Sequence, residues 1–159
     1  MKSLFKKATG FGMAAIMALS MSAMAFAAQA PGYVTFFKSG SATEVSMTQK
    51  AIASYSSKVE IGDNYVYTVN LQSFTMTKMG FTGTGYMTGI DMESDEITAV
   101  VSGDNKTLVV TVPSELVVDG NSEPFAASIT AKITFLGIPM SMPSSVNLAI
   151  TDSQLTYSE

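Results

Sequence analysis

A chain of 159 residues with no cysteine, no histidine and a formal charge of −4 has few chemistries open to it. Disulfide scaffolds, thiolate and imidazole metal sites, and Ser–His or Cys–His nucleophile pairs are all excluded, so no enzymatic activity is expected. The length suits a single domain.

The N-terminus reads as an export leader. Lys2, Lys6 and Lys7 form a basic segment, Phe11 to Met24 an apolar one, and Ala25, Ala27, Ala28 and Ala30 supply small residues for cleavage. Cutting before Ala28 gives a signal peptide, 1–27, and a mature domain, 28–159. The apolar run is too short for a membrane span. The expectation is an exported protein, secreted, surface-bound or periplasmic, with no membrane span after processing. Removing three of the nine basic residues leaves six against thirteen acidic ones, so the mature chain carries −7, with no Arg. That balance argues against nucleic acid and against attraction to anionic membranes.

In the mature chain, Gly32 to Lys38 is β-branched and aromatic, a first strand. Glu44 to Ala51 has no alternation and reads as a short helical turn capped by a Ser or Thr. Ala53 to Glu60 is a second strand, leading through Gly62-Asp63-Asn64 into Tyr65 to Phe74, which alternates strictly. Thr75 to Met87 reads as a strand, a bend loosened by Gly80, Gly83 and Gly85, and another strand. Further strands are expected at Ile97–Ser102, Thr107–Val112 and Ala126–Phe135. No sustained helical period occurs, so the pattern predicts an all-β, immunoglobulin-like antiparallel sandwich of about eight strands with one short helix.

The last stretch, Ile129 to Thr151, carries the functional reading. Two alternating apolar segments flank Gly137, Pro139 and Pro143, which are expected to interrupt the ladder and open a lip over 137–147. Met140 and Met142 sit in that lip at a spacing that turns both thioethers to one side of an extended chain. Thioethers suit copper(I) or an axial haem position, and equally line adaptable apolar pockets. The acidic turn Asp91, Glu93, Asp95, Glu96 lacks the glycine and spacing of a calcium loop and reads as a solvated turn.

Several pieces come in a telling order: Ser46-Met47, then Ser57-Lys58-Val59-Glu60-Ile61 with Gly62-Asp63-Asn64-Tyr65-Val66-Tyr67, and the strand ending Asn70-Leu71-Gln72-Ser73-Phe74. The Asp104-Asn105-Lys106-Thr107 turn into Val109-Val110-Thr111-Val112 follows, and then the closing hairpin from Thr130-Ala131-Lys132-Ile133 to Ile150. This order resembles the NEAT (near-iron-transporter) domain, the haem-binding immunoglobulin-like module of bacterial surface proteins, over about Tyr33 to Thr151. The resemblance implies a haem carrier, with the ligand held between the helix near 44–51 and the 137–147 lip. In that family a tyrosine of the last hairpin ligates iron, with a second tyrosine four residues later. Those positions fall on Met142 and Val146, so the resemblance here implies a thioether in place of a phenolate, with Met142 the metal ligand. Ser46 and Met47 match the helix side, and Phe36, Tyr55, Ile138 and Met140 suit an apolar lining.

Three functions follow as expectations. The first is an exported haem- or porphyrin-binding carrier of an iron or haem uptake system, partnered by another haem-transfer or surface protein. The second is a protein-interaction or adhesion module without haem, and the third a copper(I) binder through Met140 and Met142.

Overall fold

The structure, a computed structural model, describes residues 32–158; the leader expected over 1–27 lies outside them. The described residues form nine strands: β1 (Tyr33–Lys38), β2 (Ile52–Ile61), β3 (Asn64–Leu71), β4 (Phe74–Lys78), β5 (Phe81–Met92), β6 (Thr98–Val101), β7 (Thr107–Pro113), β8 (Phe125–Phe135) and β9 (Ile138–Thr151). They make two antiparallel sheets, β1-β9-β8-β5-β4 and β2-β3-β7-β6. The all-β sandwich expected from the alternation is what forms. Val34 and Phe36 of β1, Tyr67 and Val69 of β3, Leu108 and Val110 of β7, and Leu148 and Ile150 of β9 fill the space between the sheets.

Three expectations need correction. Tyr65 to Phe74 is not one strand, because the chain leaves β3 after Leu71 and begins β4 in the other sheet at Phe74. At the break, Gln72 hydrogen-bonds back to the carbonyl oxygens of Ala51 and Lys50. The segment after it turns sharply at Met79-Gly80, while Gly83 and Gly85 lie inside β5 rather than loosening a bend. A Cβ on Gly83 would come within 2.7 Å of the Phe135 ring, and one on Gly85 within 2.9 Å of the Lys132 carbonyl oxygen. These glycines make room for side chains of β8.

The lip over 137–147 is not a lip. Leu136-Gly137 closes a tight hairpin, and β9 then runs unbroken, its ladder with β8 passing through Thr134↔Pro139 and Thr130↔Pro143. The prolines are tolerated because β1 pairs β9 only from Val146 onward. Before that point β9 has one free edge, where a missing N–H costs no ladder bond.

The short helical turn forms as a 3-10 helix, Met47–Ala51, with the Ser46 hydroxyl accepting from the Thr48 amide at 3.2 Å. It lies along the free edge of β1. The Ser46 amide donates to Phe36 O at 2.8 Å, and the buried Gln49 side chain accepts from the Phe36 amide at 2.8 Å. A side chain thus completes what a further strand would have supplied, and the edge is closed to other chains.

Candidate functional site

The inner face of the β8–β9 hairpin begins in the core and leaves it. Along β9 the inward positions alternate as Ile150, Leu148, Val146, Ser144, Met142, Met140 and Ile138. Val146 is 1% exposed, Met142 half-buried, Met140 51% exposed and Ile138 64% exposed. On β8 the facing residues are Ala131, Ile133 and Phe135, paired with Met142, Met140 and Ile138 in turn. The exposed Ser144 interrupts the apolar run beside Val146; from Met142 to Ile138 the face is apolar again, and its end is uncovered. Burial of Ile133 and half-burial of Phe135, the ring lying over Gly83, give it a firm floor.

Of the seven residues singled out in the sequence, three share this face: Ile138, Met140 and Met142. Val146 shares its direction but is sealed in the core, as is Phe36. Tyr55 is elsewhere. Its hydroxyl donates to Val34 O at 2.8 Å, and Val34 pairs with Ile150. That is eight residues along β9 from Met142, about 26 Å at strand rise. Burial pushes the Tyr55 hydroxyl up to about 12, against a smaller downward pull from the hydrogen bond with Gln49. It is a neutral donor holding β1 to the second sheet.

Ser46 spends its hydroxyl on the cap, and Ser46 and Met47 stand on the free edge of β1, on the side away from β9. The resemblance implied that helix and hairpin face one another across a ligand. Here the hairpin face carries the accessible apolar groups, and the helix side is engaged in closing β1.

Sequence reasoning missed the two turns that end the hairpins. Met79-Gly80 and Leu136-Gly137 each hold both central residues at positive φ, 52° and 81° in the first, 51° and 79° in the second. That is the pattern of type I′ hairpins, in which Asn-Gly or Asp-Gly is the usual pair. The signal was a glycine preceded by a large apolar residue between two alternating runs.

Among the described residues no helix is long and apolar enough to cross a membrane, and no three carboxylates gather as a cation site. The acidic turn after β5 therefore gains no ligand geometry. Comparison with models of protein families, with curated proteins and with solved structures finds no match for this chain.

Proposed function

We propose that the protein is an exported binding module, a carrier that takes a flat apolar ligand of the porphyrin class on the uncovered inner face of the β8–β9 hairpin. The observation that carries this reading is the apolar face of Met142, Met140 and Ile138 on β9 with Ala131, Ile133 and Phe135 opposite them on β8, Met142 being half-buried and Met140 exposed beside it. Ligand sites are mostly apolar with few polar anchors, and this face has that character. The residues present do not fit ligation by a phenolate, because the two family tyrosine positions are Met142 and the buried Val146. They fit contact by Ile138, Met140 and Phe135, with the Met142 thioether as the soft donor offered to a metal.

A haemin titration of residues 28–159, with and without dithionite, tests this. The expected result is a saturable, shifted Soret band, stronger under reduction, and weakened in Met142→Ala. A spectrum identical to free haemin in both states overturns the reading and leaves an interaction or adhesion module.

A further inference from the structure

Among the described residues seven large apolar side chains are exposed, and five of them crowd onto the ends of two neighbouring hairpins. Met79 is 89% exposed, Leu136 77% and Phe81 53%, with Ile138 and Met140 behind them. The hairpins are neighbours, since β5 and β8 pair through Thr84↔Thr134 and the Phe135 ring packs where a Gly83 side chain would stand. Met79 and Leu136 occupy the first central position of their turns, at φ 52° and 51°. A side chain with a Cβ is disfavoured there, and an apolar one, unlike Asn or Asp, makes no local hydrogen bond in return. Two turns that would be cheaper as Asn-Gly thus display large apolar side chains to solvent, the kind of local cost that marks functional positions.

The charge pattern says what they meet. From Phe74 to Ile90 and from Phe125 to Thr151 there is no carboxylate, in a chain with thirteen. The only charges on these two stretches are Lys78, beside the first turn, and Lys132. The nearest carboxylate along β5 is Asp91, ten residues from Phe81, about 33 Å at strand rise and well beyond a Debye length of about 8 Å. The outward faces carry hydroxyls, with Thr77 and Thr82 hydrogen-bonded across β4 and β5 at 3.2 Å. Protruding apolar tips, no carboxylate to desolvate and a lysine set one residue back suit a bilayer, where the ammonium stays at headgroup level. A net negative charge argued against anionic membranes, but none of the carboxylates that carry it lies on these two hairpins from Phe74 to Ile90 and from Phe125 to Thr151.

We infer that the Met79-Gly80 and Leu136-Gly137 tips are a lipid-docking edge, inserting Met79, Phe81 and Leu136 into the surface of a bilayer. The inference rests on the tip residues Met79, Phe81 and Leu136, none of which the ligand reading uses, although Ile138 and Met140 behind them belong to the ligand face.

Sedimentation of residues 28–159 with vesicles of phosphatidylcholine, and of phosphatidylcholine and phosphatidylglycerol in equal parts, tests it. Binding to both is expected. Leu136→Asp removes burial of one large apolar side chain, about tenfold in partition coefficient. Lys78→Gln lowers only the gain from phosphatidylglycerol, about fivefold. The fold-safe pair is Met79→Asn with Leu136→Asn, which relieves both turns. It is expected to raise the urea midpoint while lowering vesicle binding at least as far as Leu136→Asp does, and to leave the haemin response intact. Absence of binding to either vesicle overturns the inference, as does binding that the Asn pair leaves unchanged. A concentration-dependent dimer in place of vesicle binding overturns it too and assigns the tips to a second copy of the chain.

Discussion

Strand β9 has a turn of the same backbone type near each end, and the two are filled with opposite chemistry. Near its end, beside Asp152, Asp119-Gly120 holds both residues at positive φ between the bridged Val118 and Asn121. Aspartate is what such a turn favours, and Asn121 secures it by accepting from the Asp152 amide at 3.1 Å. At its start, Leu136-Gly137 has the same backbone with an exposed leucine. One end is built as local stability recommends. The other departs from it twice, at Met79 and at Leu136, and on one patch. A departure repeated at adjacent places is better explained by what the patch does than by chance substitution.

The contrast extends to the interior. At the closed end, buried polar groups of β1 are matched by Gln49 and Tyr55; at the open end, the inner face is simply left uncovered. Breaking the closed end has the largest effect expected. Gln49→Ala orphans the buried Phe36 amide and weakens the hold on Val34 O, so it is expected to cost about 3 kcal/mol in urea unfolding. Haemin and vesicle binding by the folded fraction stay unchanged, since that side chain holds an edge and touches no ligand. A loss below about 0.5 kcal/mol means that water replaces the side chain and the edge needs no closing.

The floor of the open face comes next. Gly85→Ala forces a Cβ against Ile133 and the Lys132 carbonyl and is expected to cost about 2 kcal/mol. In the same strand nothing lies within 4 Å of a Cβ on Gly89, so Gly89→Ala stays within about 0.5 kcal/mol. Equal costs in the two variants, measured by thermal unfolding, refute the tight β5–β8 packing on which the face depends.

The smallest effect appears only in alkali. Tyr55 is held neutral up to about 12 in the folded chain, against an ordinary 10.0, and burial raises Tyr67 as well. An acid whose folded pKa is raised contributes stability that is complete below the unfolded value and is lost as pH climbs to the folded one. Stability is therefore expected to fall from about pH 10 to pH 12, with a shallower slope in Tyr55→Phe. An unchanged slope places the Tyr55 hydroxyl in water.

Much of this was legible in the chain. The alternation of Tyr65, Tyr67, Val69 and Leu71 announces a strand with a buried face, and Ser46 before Met47 announces a cap. The two-residue spacing of Met140 and Met142 puts them on one side of an extended chain, and β9 has them there. The prolines misled because tolerance of Pro139 and Pro143 depends on where β1 stops along β9, a long-range pairing that no local rule reports. Tyr55 misled for a similar reason: an aromatic residue in a strand looks the same whether it lines a cleft or donates to Val34 O. The tips were overlooked because Met-Gly and Leu-Gly are not the dipeptides that advertise a turn.

The chain has no tryptophan, so a single introduced indole reports cleanly. Ile138 and Val118 are matched for exposure, 64% and 67%, and stand near the two ends of β9. Ile138→Trp and Val118→Trp, each titrated with haemin and then with phosphatidylcholine vesicles, test directly whether the open end is the working one. Quenching by haemin and a blue shift with vesicles are expected at position 138, and neither at 118. Equal responses at both positions, or a response at 118 alone, would contradict this.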